Sequence, residues 1–205
     1  MPLITLDEAQ KRLEPYKDDV FVAPWTTAFE QYGKFVKEQA ALAKALDATA
    51  RANIIHCWAR EHARKALVGK AGIRETECMG FFAVLVDSDP VVRFKYLRDG
   101  RPSNVRTDQQ QFLARQEYKK DVQLAFEEEG LSALPTTVTC GYELDVAQQL
   151  SQIVIRCDYK NDNLWTWPIW GDAAAGGGGI EPMPIPTLPT PTPRPAAVRS
   201  ARESV

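Results

Sequence analysis

Residues 77–107 read ECMGFFAVLVDSDPVVRFKYLRDGRPSNVRT, and they decide the fold. The run 79–86 is apolar on both alternating faces, which predicts a central strand. Asp87, Ser88, Asp89 and Pro90 are turn formers. Residues 91–98 then alternate. Val92, Phe94 and Tyr96 point one way and Arg93 and Lys95 the other, which predicts a strand buried on one face and basic on its exposed face. Asp99 and Gly100 mark the next turn, and Pro102, Ser103 and Asn104 a loop.

Upstream, the spacing is helical. Thr5 followed by Glu8 is a capping box for a short helix that ends before Pro15. Thr26 or Thr27 is placed to cap a longer helix, in which Phe29, Tyr32, Phe35, Val36, Leu42 and Leu46 recur at three- and four-residue intervals. Asp47 caps a second helix, reaching about Val68, with Ile54, Ile55, Trp58 and Leu67 on its apolar stripe. The two make an antiparallel hairpin whose apolar face requires the sheet.

Downstream, a helix is predicted from Thr107 through about Tyr118, with helical character again over 122–129. Strand patterns cover 136–144, 151–159 and 164–170. Val138, Cys140, Tyr142 and Leu144 share a face of the first, and Gly141 inside it signals a bulge or a close backbone approach. Ile153, Ile155 and Cys157 share a face of the second, opposite Val154 and Arg156. Residues 160–163 form the hairpin turn between the last two strands. Beyond 170 the composition shifts to a glycine run and then to proline. Seven of the chain's 14 prolines lie between Pro182 and Pro195, too dense for a packed core, so a disordered or polyproline-like tail is expected.

The predicted class is therefore α+β. An N-terminal helical hairpin (within 1–72) packs on a mostly antiparallel sheet of about five strands (73–170). Residues 1–170 form one domain, and 171–205 a disordered Pro-rich tail. About 170 residues suffice for a single core. No apolar stretch has membrane-spanning length, and the N-terminal residues do not form a signal peptide, so a cytoplasmic protein with no membrane association is expected.

Chemistry is sparse. Lys and Arg number 25 against 27 acids, and the net charge of −2 argues against wholesale polyanion binding while leaving local basic faces open. The four cysteines have no ligand spacing and are expected to be reduced and mostly buried. His56 and His62 lie on one predicted helix, where their separation turns them about 600°, to different faces, so they do not form a metalloprotease pair. No serine-nucleophile elbow or phosphate loop is present. Glu77, Asp87 and Asp89 near Lys95 suggest a nuclease cluster on paper, but Asp87 and Asp89 bracket a turn and read as solvated. No catalytic residue, metal or cofactor is expected.

The basic strand remains. Between Pro90 and Thr107 five cations (Arg93, Lys95, Arg98, Arg101, Arg106) face one acid, Asp99, enough to receive phosphate or a partner's carboxylates. Asn104 and Thr107 add neutral donors, and Arg156 joins from a neighbouring strand. The bland alternative is a solvated strand whose charges deter aggregation.

Several short patterns carry a resemblance: R-F-K at 93–95, N-V-R-T at 104–107, the glutamines 109–111 and Gln116, G-Y-E-L at 141–144 and W-T-W at 165–167. Over about 50–170 the chain resembles small cytoplasmic proteins of bacterial and phage mobile elements. Those are encoded beside helix-turn-helix regulators, some fused to ImmA-type metalloprotease domains, in toxin–antitoxin or phage-defence loci. The resemblance implies an interaction protein with a protein partner, such as a helix-turn-helix regulator, and brings no catalytic residue. The alternative is a nucleic-acid-binding or nucleic-acid-cleaving protein using the basic face. Oligomeric state is left open.

Overall fold

A computed structural model of the chain describes residues 3–78, 81–102, 111, 116, 135–160 and 162–171. Helix α1 (Leu6–Leu13) starts with the expected reciprocal cap: Glu8 N–H donates to the Thr5 hydroxyl, and the Glu8 carboxylate accepts from Thr5 N–H at 3.1 Å. The α-helix ends where Pro15 requires, but the helical path does not. It continues through a 3-10 turn (Glu14–Tyr16) and a π-helical stretch (Lys17–Val22) directly into α2 (Ala23–Glu38). Both Pro15 and Pro24 sit in first-turn positions, where a missing N–H leaves no bond unmade. Thr26 is therefore inside α2 rather than its cap, and its hydroxyl bonds back to the Ala23 carbonyl at 3.1 Å.

The path breaks at Gln39, passes through α3 (Ala40–Ala45), and restarts at Asp47. The Asp47 carboxylate accepts from Ala50 N–H at 2.7 Å to cap α4 (Ala48–Leu67). Helices α2 and α4 run antiparallel, because Gln31 meets His62 while Phe35 meets Trp58.

The strands are β1 (Ile73–Cys78), β2 (Phe81–Val86), β3 (Val91–Arg98), β4 (Arg101–Pro102), β5 (Thr137–Leu144), β6 (Leu150–Tyr159) and β7 (Asp162–Gly171). They form one sheet in the order β1-β2-β3-β5-β6-β7, with β4 paired to β3. All pairs are antiparallel except β3 with β5, which run parallel from Val91↔Thr137 to Tyr96↔Tyr142. The α+β class stands, with seven strands among the described residues where about five were expected. Strand β1, IRETEC, was not expected: its charges hid it, as charges on an end strand do.

Trp25 anchors the helical layer on the sheet. Its ring lies 4.7 Å from that of Tyr142 and 5.6 Å from that of Phe94 (centroid to centroid). Phe29, Phe21 and Phe82 extend the cluster. Aromatic contacts of this kind contribute about 0.5–1.5 kcal/mol each beyond their burial.

The other sheet face is also buried. Ala83, Leu85, Val91, Leu97 and Val154 are all within 2% of full burial. Gln116 closes the ends of β5 and β6: its side-chain oxygen accepts from Thr137 N–H at 3.1 Å and its amide donates to the Asp158 carbonyl at 2.7 Å. Its φ of 55° is outside helical geometry, so the helix predicted through Tyr118 does not run unbroken across it. The helix predicted over 122–129 and the tail from 172 onward lie outside the described residues. Gly171, read as the first tail residue, is the end of β7.

Candidate functional site

Strand β3 carries three of the eight site residues singled out from sequence, Arg93, Lys95 and Arg98; Arg101 lies on β4 and Arg156 on β6. The alternation is as read: Phe94 points into the helix-side core, and Arg93 and Lys95 share the opposite face with Phe81 of β2. That face is not a solvated basic strip. Arg93 is 4% exposed, with its guanidinium carbon 5.7 Å from the centre of the Phe81 ring. Lys95 is partly buried, its amine 6.0 Å from the same ring. Burial, and then the charge of Arg93, bring its pKa down to about 8. Arg156 is 8% exposed, and its guanidinium is held by the carboxylate of Asp158, two residues along β6. Arg98 and Arg101, cross-strand partners in the β3–β4 turn, are exposed. Asn104, Arg106 and Thr107 lie outside the described residues. The expectation of an exposed face failed because period two tells which side chains share a face, and not whether distant chain covers it.

The paired aspartates are not equivalent. Asp87 is exposed, as expected of a turn. The Asp89 carboxylate is not merely solvated: it accepts from Thr136 N–H at 2.6 Å, and Arg12 donates to its backbone carbonyl at 2.6 Å. Burial raises its pKa, against the Thr136 bond and the charge of Arg12, which lower it. This joins the start of β5 to the β2–β3 turn and to α1.

His56 and His62 part as the helical arithmetic requires. His62 meets the Gln31 side chain at 3.0 Å. His56 Nε2 meets the Phe94 carbonyl at 3.1 Å, which makes that nitrogen the donor. Burial first, then Arg60 and Lys95, hold its pKa down at about 4 against the opposing effect of that bond. Among the described residues no three acids, histidines or cysteines gather in a metal-binding arrangement. Cys140 and Cys157 are free and buried; burial pushes the Cys140 thiol up to about 12. Cys57 is free and exposed, so two of these three cysteines are buried, in keeping with the expectation of mostly buried thiols.

No protein-family model, curated protein or solved structure matches this chain. No helix among the described residues is long and apolar enough to cross a membrane.

The two ends of the sheet differ in a way the sequence patterns did not draw out. Among the described residues β1 pairs only with β2, and β7 only with β6. The β1 end is six residues long and carries Arg74 and Glu75, the latter hydrogen-bonded by Arg64 at 2.8 Å. The β7 end, DNLWTWPIWG, is ten residues long and uncharged after Asp162. Trp165, Trp167 and Trp170 lie along it half-buried against the core, and Leu164 is 48% exposed. The Trp165 indole donates to the Ile4 carbonyl at 3.0 Å, which fixes that ring to the segment before α1. Tryptophans spaced two apart in a closing strand were the available signal.

Proposed function

We propose that this chain is an interaction protein of a toxin–antitoxin or phage-defence type module, acting through a protein partner that adds an extended segment along β7. The observation that carries the partner class is the contrast between the two sheet ends. Free strand edges are normally guarded by charge, as β1 is. β7 instead offers an edge that is uncharged after Asp162, beside three partly exposed tryptophans, a residue type enriched in protein interfaces. Strand addition supplies backbone hydrogen bonds, and the aromatic stripe supplies area and selectivity. The module itself is taken from the resemblance of the R-F-K, G-Y-E-L and W-T-W patterns. The alternative reading, nucleic acid on the basic strand, retains Arg98 and Arg101 as its exposed described cations, whereas Arg93 is buried and Arg156 is paired.

The test measures binding, by calorimetry, to a helix-turn-helix regulator, the partner class the resemblance implies, for the wild type and for Leu164→Lys and Trp167→Lys. Binding is expected to weaken about tenfold or more in each, with little change in melting temperature for the exposed Leu164 position. Unchanged affinity in both variants would reject the β7 reading. A strong inverse dependence on salt with a nucleic-acid probe would instead favour the alternative.

A further inference from the structure

We propose that the proline-rich segment 182–195 of this chain's own tail lies back along β7, over Trp167 and Trp170, and so competes with the partner for that edge. The competition rests on the β7 reading above; the docking itself does not.

The register of β7 builds the surface. Trp165 is opposite Cys157 and Trp167 opposite Ile155, and the next pairs are Val154 with Pro168 and Ile153 with Trp170. Ile169 is the extra residue of a bulge, and it returns Trp170 to the face of the other two. All three rings therefore share the face of Ile153, Ile155 and Cys157, each only partly buried. Trp165 is fixed to Ile4, which leaves Trp167 and Trp170, the two nearest in sequence to the start of the tail.

The chain that follows supplies the occupant. β7 ends at Gly171, whose φ of 103° favours glycine, so the backbone leaves extended geometry where the tail starts. Residues 172–181 include the four glycines 176–179. A glycine-rich stretch of that length covers about 17 Å, and a track beside β7 is about 5–10 Å away. Residues 182–195 then carry seven prolines at spacings of two or three. In a polyproline helix residues two apart stand about 6.2 Å apart, close to the roughly 6.6 Å between side chains two apart on a strand. Such segments suit aromatic surfaces because their extended form is set before binding.

Charge agrees with the course. Segment 182–195 has one charge, Arg194, and β7 has one, the exposed Asp162. A tail that turns back at Gly171 runs antiparallel to β7. About 31 Å of polyproline separates Pro184 from Arg194, and about 26 Å of strand separates Trp170 from Asp162. With Pro184 over Trp170, the arginine arrives at the aspartate end, and its long side chain takes up the difference. Tethering holds the segment at about millimolar concentration, so a weak contact suffices to occupy the edge.

The test uses the full chain and follows its tryptophan indole N–H signals by nuclear magnetic resonance. Pro184→Gly, Pro186→Gly and Pro189→Gly, made together, should shift the Trp167 and Trp170 signals and leave that of the fully buried Trp25 in place. A synthetic peptide of residues 182–195 should restore the wild-type positions saturably in this triple variant. It should bind the wild-type chain about tenfold or more weaker, because the tail already holds the site. Unchanged Trp167 and Trp170 signals in the triple variant would overturn the docking, as would a peptide that binds both chains equally. A peptide carrying Arg194→Glu that binds as tightly as the native one would overturn the antiparallel course. For the competition, the triple variant should bind a helix-turn-helix regulator about tenfold more tightly than wild type, and equal affinities would reject it. The indole measurements involve no regulator. Unchanged indole signals therefore reject the tail contact alone, whereas regulator binding indifferent to Leu164→Lys and Trp167→Lys rejects the β7 reading.

Discussion

The Leu97 side chain occupies the space where a side chain on Gly141 would stand. A Cβ built on Gly141 would lie 2.5 Å from Leu97 Cγ and 2.8 Å from both of its methyl carbons. Gly141 pairs with Lys95 across the parallel β3–β5 ladder, so Leu97 leans back across β5 on the second sheet face. The glycine marks a close approach; the register shift in β5 falls later, between Glu143 and Leu144.

Gly141→Ala should destabilise the protein. Alanine would gain about 0.4–1 kcal/mol by restricting the unfolded chain. Displacing a fully buried leucine costs about 1–3 kcal/mol, and that term wins. In a Leu97→Ala background the obstruction is gone, so the same substitution should be neutral or mildly stabilising. Denaturant melts of the four proteins in this cycle check it; additive effects would show that Leu97 is not the obstruction.

Asp89 should act through its oxygen atom rather than through its charge. Asp89→Ala leaves the buried Thr136 N–H without its 2.6 Å acceptor, at a cost of about 1–3 kcal/mol. Asp89→Asn keeps an acceptor and should remain close to wild type. The raised pKa of Asp89 sets the sign of its pH effect. The folded protein holds the proton more tightly than the unfolded chain, so this group's contribution is fully present at low pH. It is lost as pH rises through the folded value. Acid melts of Asp89→Asn against wild type isolate that contribution, and equal losses in Asn and Ala variants would contradict the acceptor role.

His56 should produce the opposite dependence. Its pKa is 6.5 ordinarily and about 4 in the folded protein, so the fold favours the neutral ring. That contribution is complete above 6.5 and is lost as pH falls towards 4, for a total on the order of 3 kcal/mol. His56→Gln retains a donor for the Phe94 carbonyl and does not titrate. Its stability should therefore fall less than that of wild type between pH 7 and pH 4.5. Parallel pH profiles for the two proteins would mean that the ring is not held neutral.

The fold could be read from short-range signals because the deciding elements are local. The Thr5–Glu8 box, the Asp47 cap and the alternation of Val92, Phe94 and Tyr96 each arise within a few residues. What escaped depends on distant partners. Strand β1 has no apolar alternation, since an end strand with Arg74 and Glu75 exposed needs none. The parallel joining of β3 to β5 links Val91 to Thr137, and no local pattern encodes it. The same limit governs the candidate site. Periodicity placed Arg93 and Lys95 on one face, but their burial is set by chain far from β3. Arg60 came into view only when α4 was laid over Phe82.

Arg93 and Lys95 were read together as one exposed pair, and their surroundings now separate them. As surface residues, both would change stability by no more than about 0.5 kcal/mol on replacement. Arg93 is buried, with its guanidinium over Phe81, so Arg93→Ala should cost well above that amount. Lys95 should do the reverse. Its pKa falls from 10.5 to about 8 on folding, so its charge opposes the folded state at neutral pH. The contribution is fully present above 10.5 and is lost as pH falls through 8. Because the side chain is only partly buried and its charge partly screened, the loss is on the order of 2 kcal/mol. Lys95→Met keeps the stem and removes the charge. In chloride buffer at pH 7 it should melt higher than wild type, and the gap should close as pH is raised towards 10.5. A lower melting temperature for Lys95→Met under these conditions would show that the amine is satisfied, by an acid close enough to outweigh its burial and the charge of Arg93.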